Sequence, residues 1–263
     1  MTNPIATNPS TIVVIPARMA SSRFPGKPLV SILGLPLVEH VRSRALLASG
    51  IDQVVVATCD ASIFEAVQAQ GGRAIMTADT HERCTDRVEE AMRSLSGDII
   101  VMVQGDEPLL VPDAVERIAQ PLRDRPEVVC TNLLSPLESD ADLANPNIVK
   151  AVCAQDGRVM FLSRSSIPSY RKRVECPVYR QTGIMAFRAD LLRHYSTLPE
   201  TPFERAESVD MLRLLEHGIA IHGVVVDYPT VGVDRPEDVP AVETWLQGNP
   251  LQRALYDRTM VNG

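Results

Sequence analysis

The chain contains no CxxC pair, and its five cysteines (Cys59, Cys84, Cys130, Cys153, Cys176) are scattered through 263 residues. That spacing fits neither a zinc site nor a disulfide framework. We read all five as free thiols, which points to a reducing, cytoplasmic compartment. No apolar run approaches the roughly 18 residues that cross a bilayer as a helix, so no membrane partner is expected. No internal repeat is visible, which argues against a solenoid or propeller. The first ten residues, MTNPIATNPS, lack the basic and apolar regions of a secretory signal and are read as a disordered lead-in. Basic charge is also in deficit. The 26 Lys and Arg are outnumbered by 33 Asp and Glu, for a net charge of −7. A nucleic-acid partner usually leaves a basic footprint, so none is expected.

What is present is an apolar composition of 45%, ample for a core, and one unusual stretch, Thr11 to Leu29, TIVVIPARMASSRFPGKPL. Ile12–Ile15 reads as a buried strand. The loop after it carries Arg18, Arg23 and Lys27, with Ser21, Ser22 and Gly26 among them. Small residues let backbone N–H groups approach an anion, and the cations neutralise it. Such a loop suits a nucleoside triphosphate, although it matches neither the Walker loop nor the dinucleotide fingerprint. The bland alternative is a basic surface loop with a turn at Pro25–Gly26.

Strands and helices alternate beyond it. Helical spacing over Pro36–Ser49 is followed by a strand at Gln53–Thr58 and a helix at Ala61–Gln70. Arg73–Met76 reads as a strand, Thr85–Leu95 as a helix and Ile99–Val103 as a buried strand. Pro112–Leu122 is helical and Val128–Leu134 extended. The expectation is an α/β fold, a Rossmann-like, mostly parallel nucleotide-binding sheet, with ligands at the carboxyl ends of its strands. The second half reads as hairpin Ile148–Ala154/Val159–Phe161, a basic turn-rich stretch at Pro168–Pro177, and strand Gly183–Phe187. Helices are expected at Ala189–Ser196 and Ala206–Glu216, then strand Ala220–Val226 and a last helix, Pro236–Trp245.

Two acidic segments end strands. Gln104–Gly105–Asp106–Glu107–Pro108 follows Ile99–Val103, and Gly232–Val233–Asp234–Arg235–Pro236–Glu237–Asp238 precedes the last helix. Mg²⁺ needs few protein carboxylates and completes its octahedron with water and phosphate oxygens, so Asp106 could hold one. Asp106 or Glu107, and Asp234, could equally be helix caps.

PAR-x-x-S-S-R-x-P-G-K-P-L resembles the nucleotide-binding signature of the sugar-acid cytidylyltransferases, closest to the CMP-Kdo synthetase (3-deoxy-manno-octulosonate cytidylyltransferase) family. QGDEP and GVDRPED resemble that family's paired metal motifs. Asn145–Lys150 (NPNIVK), Phe161–Arg164 with Ile167–Pro168, Thr85–Asp86–Arg87 with His81, and Glu204 with Glu207 resemble further segments. The resemblance runs from about residue 11 to about residue 246. It implies a nucleotidyltransferase fold of the GT-A type and Mg²⁺-dependent transfer of CMP from CTP to a small acidic acceptor. The catalytic residues would be Arg18, Lys27, Asp106 and Asp234, with Asp106 and Asp234 holding the metal. CTP would be bound by Ala17, Arg18, Ser21, Ser22, Arg23, Lys27, Thr85, Arg87, Gln104 and Asp106. The acceptor would be bound by Arg18, Gln104, Arg164, Arg180, Gln181, Met185, Asp210 and Met211. It implies one domain over 11–248: residues 11–135 bind nucleotide, 136–220 form an acceptor and dimer lobe, and 221–248 return to the sheet. A homodimer is implied, and 249–263 are read as a peripheral tail.

The departures are local. Gln181–Thr182–Gly183–Ile184–Met185 stands where the family has His-x-Gly-Ile-Tyr, and Val209–Asp210–Met211–Leu212–Arg213 where it has Leu-Glu-Gln-Leu-Arg. Methionine is a poor hydrogen-bond partner for a sugar hydroxyl. The resemblance keeps a Kdo-like ulosonic acid as the main expectation; the changes to methionine motivate the alternative, a small phosphonate or phosphonocarboxylate met by the basic side chains around 171–180. Arg83–Cys84 replaces Ser–Gly beside the expected base site. Two more distant readings are a uridylyl- or adenylyltransferase and an inactive nucleotide sensor.

Overall fold

The computed structural model describes residues 9–21, 23–172 and 174–262, apart from the side chains of 261 and 262. The lead-in up to residue 8 and Ser22 lie outside the described residues. The described chain divides into two compact units, one made of residues 10–116 and 230–262 and the other of Arg117–Pro229. The expected lobe at 136–220 falls inside the second.

In the first unit, β1 (Thr11–Ala17) is followed by a 3-10 turn at Lys27–Leu29, the short β2 (Ser31–Ile32) and β3 (Leu35–Pro36), and α1 (Leu37–Ala45). Then come β4 (Gln53–Thr58), α2 (Ala61–Ala69), β5 (Arg73–Met76), α3 (Cys84–Met92), β6 (Ile99–Val103) and α4 (Pro112–Asp124), which leads out of the unit. The strands β6, β1, β4 and β5 lie side by side in that order, all parallel. β1 and β6 are buried along their whole length. Continuous Ile/Val runs are what a parallel sheet covered on both faces requires. The expected bounds of β4, β5 and β6 coincide with those observed.

The second unit holds β7 (Cys130–Pro136), α5 (Asp140–Ala144), β8 (Lys150–Cys153), β9 (Val159–Ser163), β10 (Tyr179–Arg188), α6 (Ala189–Tyr195), α7 (Pro202–Glu207), α8 (Met211–Glu216) and β11 (His222–Val225). β7 pairs antiparallel with β10 and parallel with β11, and β8 pairs antiparallel with both β10 and β9. The chain then returns to the first unit as α9 (Asp238–Gly248) and α10 (Pro250–Asn262).

Two expectations change. The amphipathic helix expected at Ala206–Glu216 is broken: α7 ends at Glu207, and Ser208 takes a left-handed conformation with φ 52°. The break follows from tertiary demand. The Glu207 carboxylate accepts from Ser163 Oγ at 2.6 Å and Arg164 N–H at 2.8 Å, and its carbonyl accepts from Arg164 Nε at 2.7 Å. The stretch expected as a peripheral tail is the helix α10. Its Gln252 and Thr259 are buried, because α10 packs on α9 and α1.

The buried pair Glu204–Arg213 ties α7 to α8, with Nε and Nη2 donating at 2.8 and 2.6 Å to the two carboxylate oxygens. The Arg213 guanidinium also lies 4.3 Å from the Tyr195 ring centroid. Removing one partner strands a charge out of water. Arg213→Ala should therefore lower the unfolding free energy by about 3–5 kcal/mol. A urea titration checks this: the midpoint should fall with little change in slope, and an unmoved midpoint would contradict the pairing.

Candidate functional site

Three segments of the first unit meet at one point. β1 and β6 run parallel and adjacent, so the loops after Ala17 and Val103 leave the same end of the sheet. The third segment is the extended return segment 230–234, which belongs to no strand. Val233 N–H donates to the Asp106 carbonyl at 2.9 Å. Gly232 allows this approach, since a Cβ there would lie 3.3 Å from that same oxygen.

Lys27 occupies the meeting point. Its Nζ donates to Asp106 Oδ2 at 2.8 Å and to the Val233 carbonyl at 2.8 Å, and stands 3.9 Å from Asp234 Oδ1. Arg23 Nη2 reaches the same Asp234 oxygen at 3.1 Å. The Lys27 side chain is only 13% exposed, whereas Arg23 and Asp234 are 50% and 47% exposed. Two carboxylates are thus balanced by two cations, with lysine on the sheltered side. The exposed Arg23–Asp234 pair adds little stability, about 0–1 kcal/mol.

The loop is shaped to deliver Lys27. Gly26 sits at φ 78°, a left-handed position that glycine accepts without strain, and its N–H donates to Met19 O at 3.0 Å. Met19 N–H in turn donates to Asp60 Oδ2 at 2.8 Å. Sequence reasoning missed Asp60. It precedes α2 and looks like a helix cap there, yet its side chain makes no cap hydrogen bond. Ser21 Oγ accepts from Phe24 N–H at 3.4 Å, a turn contact.

At the end of β1 an open cleft is lined by Pro16, Ala17, Arg18, His81, Glu82, Arg83, Cys84 and Arg87. Arg18 Nη1 donates to His81 O at 3.3 Å, and His81 pairs with Glu90. Arg87 is 3% exposed and donates through Nη1 to Thr77 Oγ1 and Ala78 O. Its Nη2 is buried with no hydrogen-bond partner, a donor left for a guest. Thr85 is fully buried in the first turn of α3. Gln104 is half-buried at the end of β6, and its carbonyl accepts from Glu107 N–H. The structure therefore brings together Lys27, Arg23, Asp106 and Asp234, and separately Ala17, Arg18 and Arg87.

The acceptor candidates other than Arg18 and Gln104 belong to the second unit. The Arg164 guanidinium is held by the carbonyls of Glu207, Pro146, Asn147 and Ser208, so it organises its own loops. Lys150 does the same, donating to Asn145 O, Ile148 O and Arg164 O. Gln181 Nε2 donates to Asn132 Oδ1 at 2.8 Å. Met185 and Met211 are core residues, 4% and 0% exposed, so these two side chains show a ligand no surface. Arg180 is half-buried on β10, and Asp210 leads into α8. These placements depend on tertiary contacts that no motif displays.

Among the described residues, no group of three or more His, Cys, Asp or Glu is gathered. The two carboxylates facing Lys27 are hard oxygen donors and suit Mg²⁺, which takes most of its shell from water and ligand oxygens. No helix among the described residues is long and apolar enough to cross a membrane.

Comparison with known proteins agrees with the geometry. The cytidylyltransferase family model matches residues 12–221. The 3-deoxy-manno-octulosonate cytidylyltransferase of Escherichia coli is 44% identical over 225 residues, covering 86% of this chain and 91% of that relative. The enzyme of the same name from Acaryochloris marina is 41% identical over 239 residues, covering 90% and 97%. Among solved structures, a CMP:2-keto-3-deoxy-manno-octonic acid synthetase complexed with CTP superposes with a TM-score of 0.86 at 42% identity, covering 90% of this chain and 98% of the other. A cytidylyltransferase from Leptospira borgpetersenii, at 17% identity and a TM-score of 0.62, shares the fold.

An anion bound here would compete with the two carboxylates for Arg23 and Lys27. Lys27→Met should weaken inorganic pyrophosphate binding about tenfold or more, the scale of one charge-assisted contact. Titration calorimetry reads this directly, and unchanged affinity would remove Lys27 from the anion site.

Proposed function

This chain belongs to the cytidylyltransferase family, and on that premise we propose that it transfers CMP from CTP to a Kdo-type 3-deoxy-ulosonic acid, releasing pyrophosphate. The observation that carries the reading is Lys27 held against Asp106 and facing Asp234, on loops from adjacent parallel strands. The names of the relatives support the acceptor, and they do not favour a phosphonate.

In the reaction an acceptor oxygen attacks the α-phosphorus of CTP and the bond to pyrophosphate breaks. Charge builds on the leaving oxygens, where Lys27 and Arg23 would neutralise it. Arg18 would hold phosphate from the cleft side, and Ser21 and Ser22 belong to the same loop. Arg87 Nη2 has no partner in the cleft wall, so a ring carbonyl of the base would satisfy it. Ala17 and Thr85 would pack around the base, and Gln104 would position the acceptor or the ribose. Fixed charges of this kind do most of the work in phosphoryl chemistry. Asp106 and Asp234 would hold Mg²⁺, which would supply Lewis-acid polarisation of the phosphate. Of the second unit's candidates, Arg180 has the chemistry for an acceptor carboxylate. Five free cysteines suit a reducing cytoplasm. The homodimer that the family resemblance implies is part of this reading.

Pyrophosphate release with CTP and Mg²⁺ tests the reading: Kdo should be turned over and phosphonoformate should not, and the reverse would overturn the acceptor assignment. Asp234→Asn should lower kcat by roughly 100-fold, the scale of losing one electrostatic group at the reacting centre. Because Asp234 is 47% exposed, its unfolding free energy should move by no more than about 1 kcal/mol.

A further inference from the structure

The C-terminal helix α10 lies beyond the family match, which ends at residue 221. Yet it makes specific polar contacts with the elements that carry the charged cluster. Tyr256 Oη donates to Leu33 O at 2.9 Å. Leu33 sits in the turn between β2 and β3 at φ 48°, a left-handed conformation that costs a leucine energy and must be held from outside. Glu243 Oε1 of α9 accepts from Leu33 N–H at 3.2 Å and completes the grip. The hairpin is tied to the lysine loop through its own backbone. Leu37 N–H donates to Val30 O, and Val30 N–H donates to Lys27 O at 3.1 Å.

The second arm is Gln252. Its Nε2 donates to Leu109 O at 3.1 Å, three residues beyond Asp106. Its Oε1 accepts from Arg44 Nη1 at 2.6 Å, and Arg44 Nη1 also donates to Leu110 O at 3.1 Å. Arg44 is fully buried, and its guanidinium donates to the neutral Leu110 O, Gln252 Oε1 and Gln252 O. Burying a cation with neutral partners is costly, and what the arrangement secures is geometry. The third segment is held by α9, where Asp238 Oδ2 accepts from Asp234 N–H and Arg235 N–H at 2.8 Å each. Ile32, Val233 and Leu246 fill one apolar cluster beneath these contacts, with Tyr256 packed against it.

We propose that α10 is a positioning element of the reaction, with Tyr256 and Gln252 holding the segments that bear Lys27 and Asp106 in register. This rests on the reading of Lys27 and Asp106 as catalytic. Neither α10 residue would touch substrate. They act by restricting where the ammonium and the carboxylate stand when charge develops on the leaving group.

The test is Tyr256→Phe, which removes one hydroxyl and keeps the ring that stacks on His40 at 5.9 Å. Amide hydrogen exchange by mass spectrometry and steady-state kinetics are read on the full chain. Exchange should accelerate across residues 27–37 while β4 and α2 keep the native rates. The kcat should fall about two- to tenfold, the scale of one lost hydrogen bond, with the KM for CTP within about twofold of native. Gln252→Ala should accelerate exchange across 104–111 in the same way. Unchanged exchange in both segments, or acceleration spread evenly over the whole chain, overturns the proposal. Faster local exchange with an unaltered kcat also overturns it. If Lys27→Met leaves turnover intact, the catalytic reading has failed on its own terms, whatever the exchange data show.

Discussion

Asp106 and Asp234 carry like charge and would repel if brought together alone. The Lys27 ammonium makes their approach tolerable, because it donates to one and stands near the other. Much of the first unit's architecture serves that arrangement. Parallel strands bring two loops to one end of the sheet, Gly26 turns the first loop, and Gly232 lets the return segment lie against Asp106 O. In this structure the ammonium balances both carboxylates; under the proposed function it would turn to phosphate oxygens when CTP binds.

Most of the first unit's sheet was legible in the sequence because β1, β4 and β6 are short runs rich in Ile and Val and buried almost throughout. Such runs carry both type and bounds. The loops that carry the charged cluster were legible because Arg, Lys and Asp at strand ends are chemically conspicuous, and the family that their motifs resemble is the one the comparisons found. The broken helix at Ser208 was not legible. Its cause is Glu207 answering Ser163 and Arg164, which lie over 40 residues away in the chain. The role of α10 was hidden for a similar reason. Gln252 and Tyr256 have no periodic signature, and their meaning comes only from Arg44, Leu109 and Leu33.

The second unit shows why residue type alone misleads. Arg164 and Lys150 are basic and look available to an anion, yet backbone carbonyls already engage both. Met185 and Met211, expected at the acceptor, are packed in the core. A polar-to-methionine change can therefore be a core substitution as readily as a change of substrate. That reading is consistent with relatives at about 40% identity that all bear the same 3-deoxy-manno-octulosonate name.

The account stands or falls on whether Asp106 and Asp234 hold a divalent ion together with the nucleotide. Electron paramagnetic resonance titration of Mn²⁺ in the presence of saturating CTP measures this without any acceptor. The account predicts tight Mn²⁺ binding in the native chain and its loss in Asp106→Asn and in Asp234→Asn, with CTP itself still bound. Native Mn²⁺ affinity in both variants would contradict it.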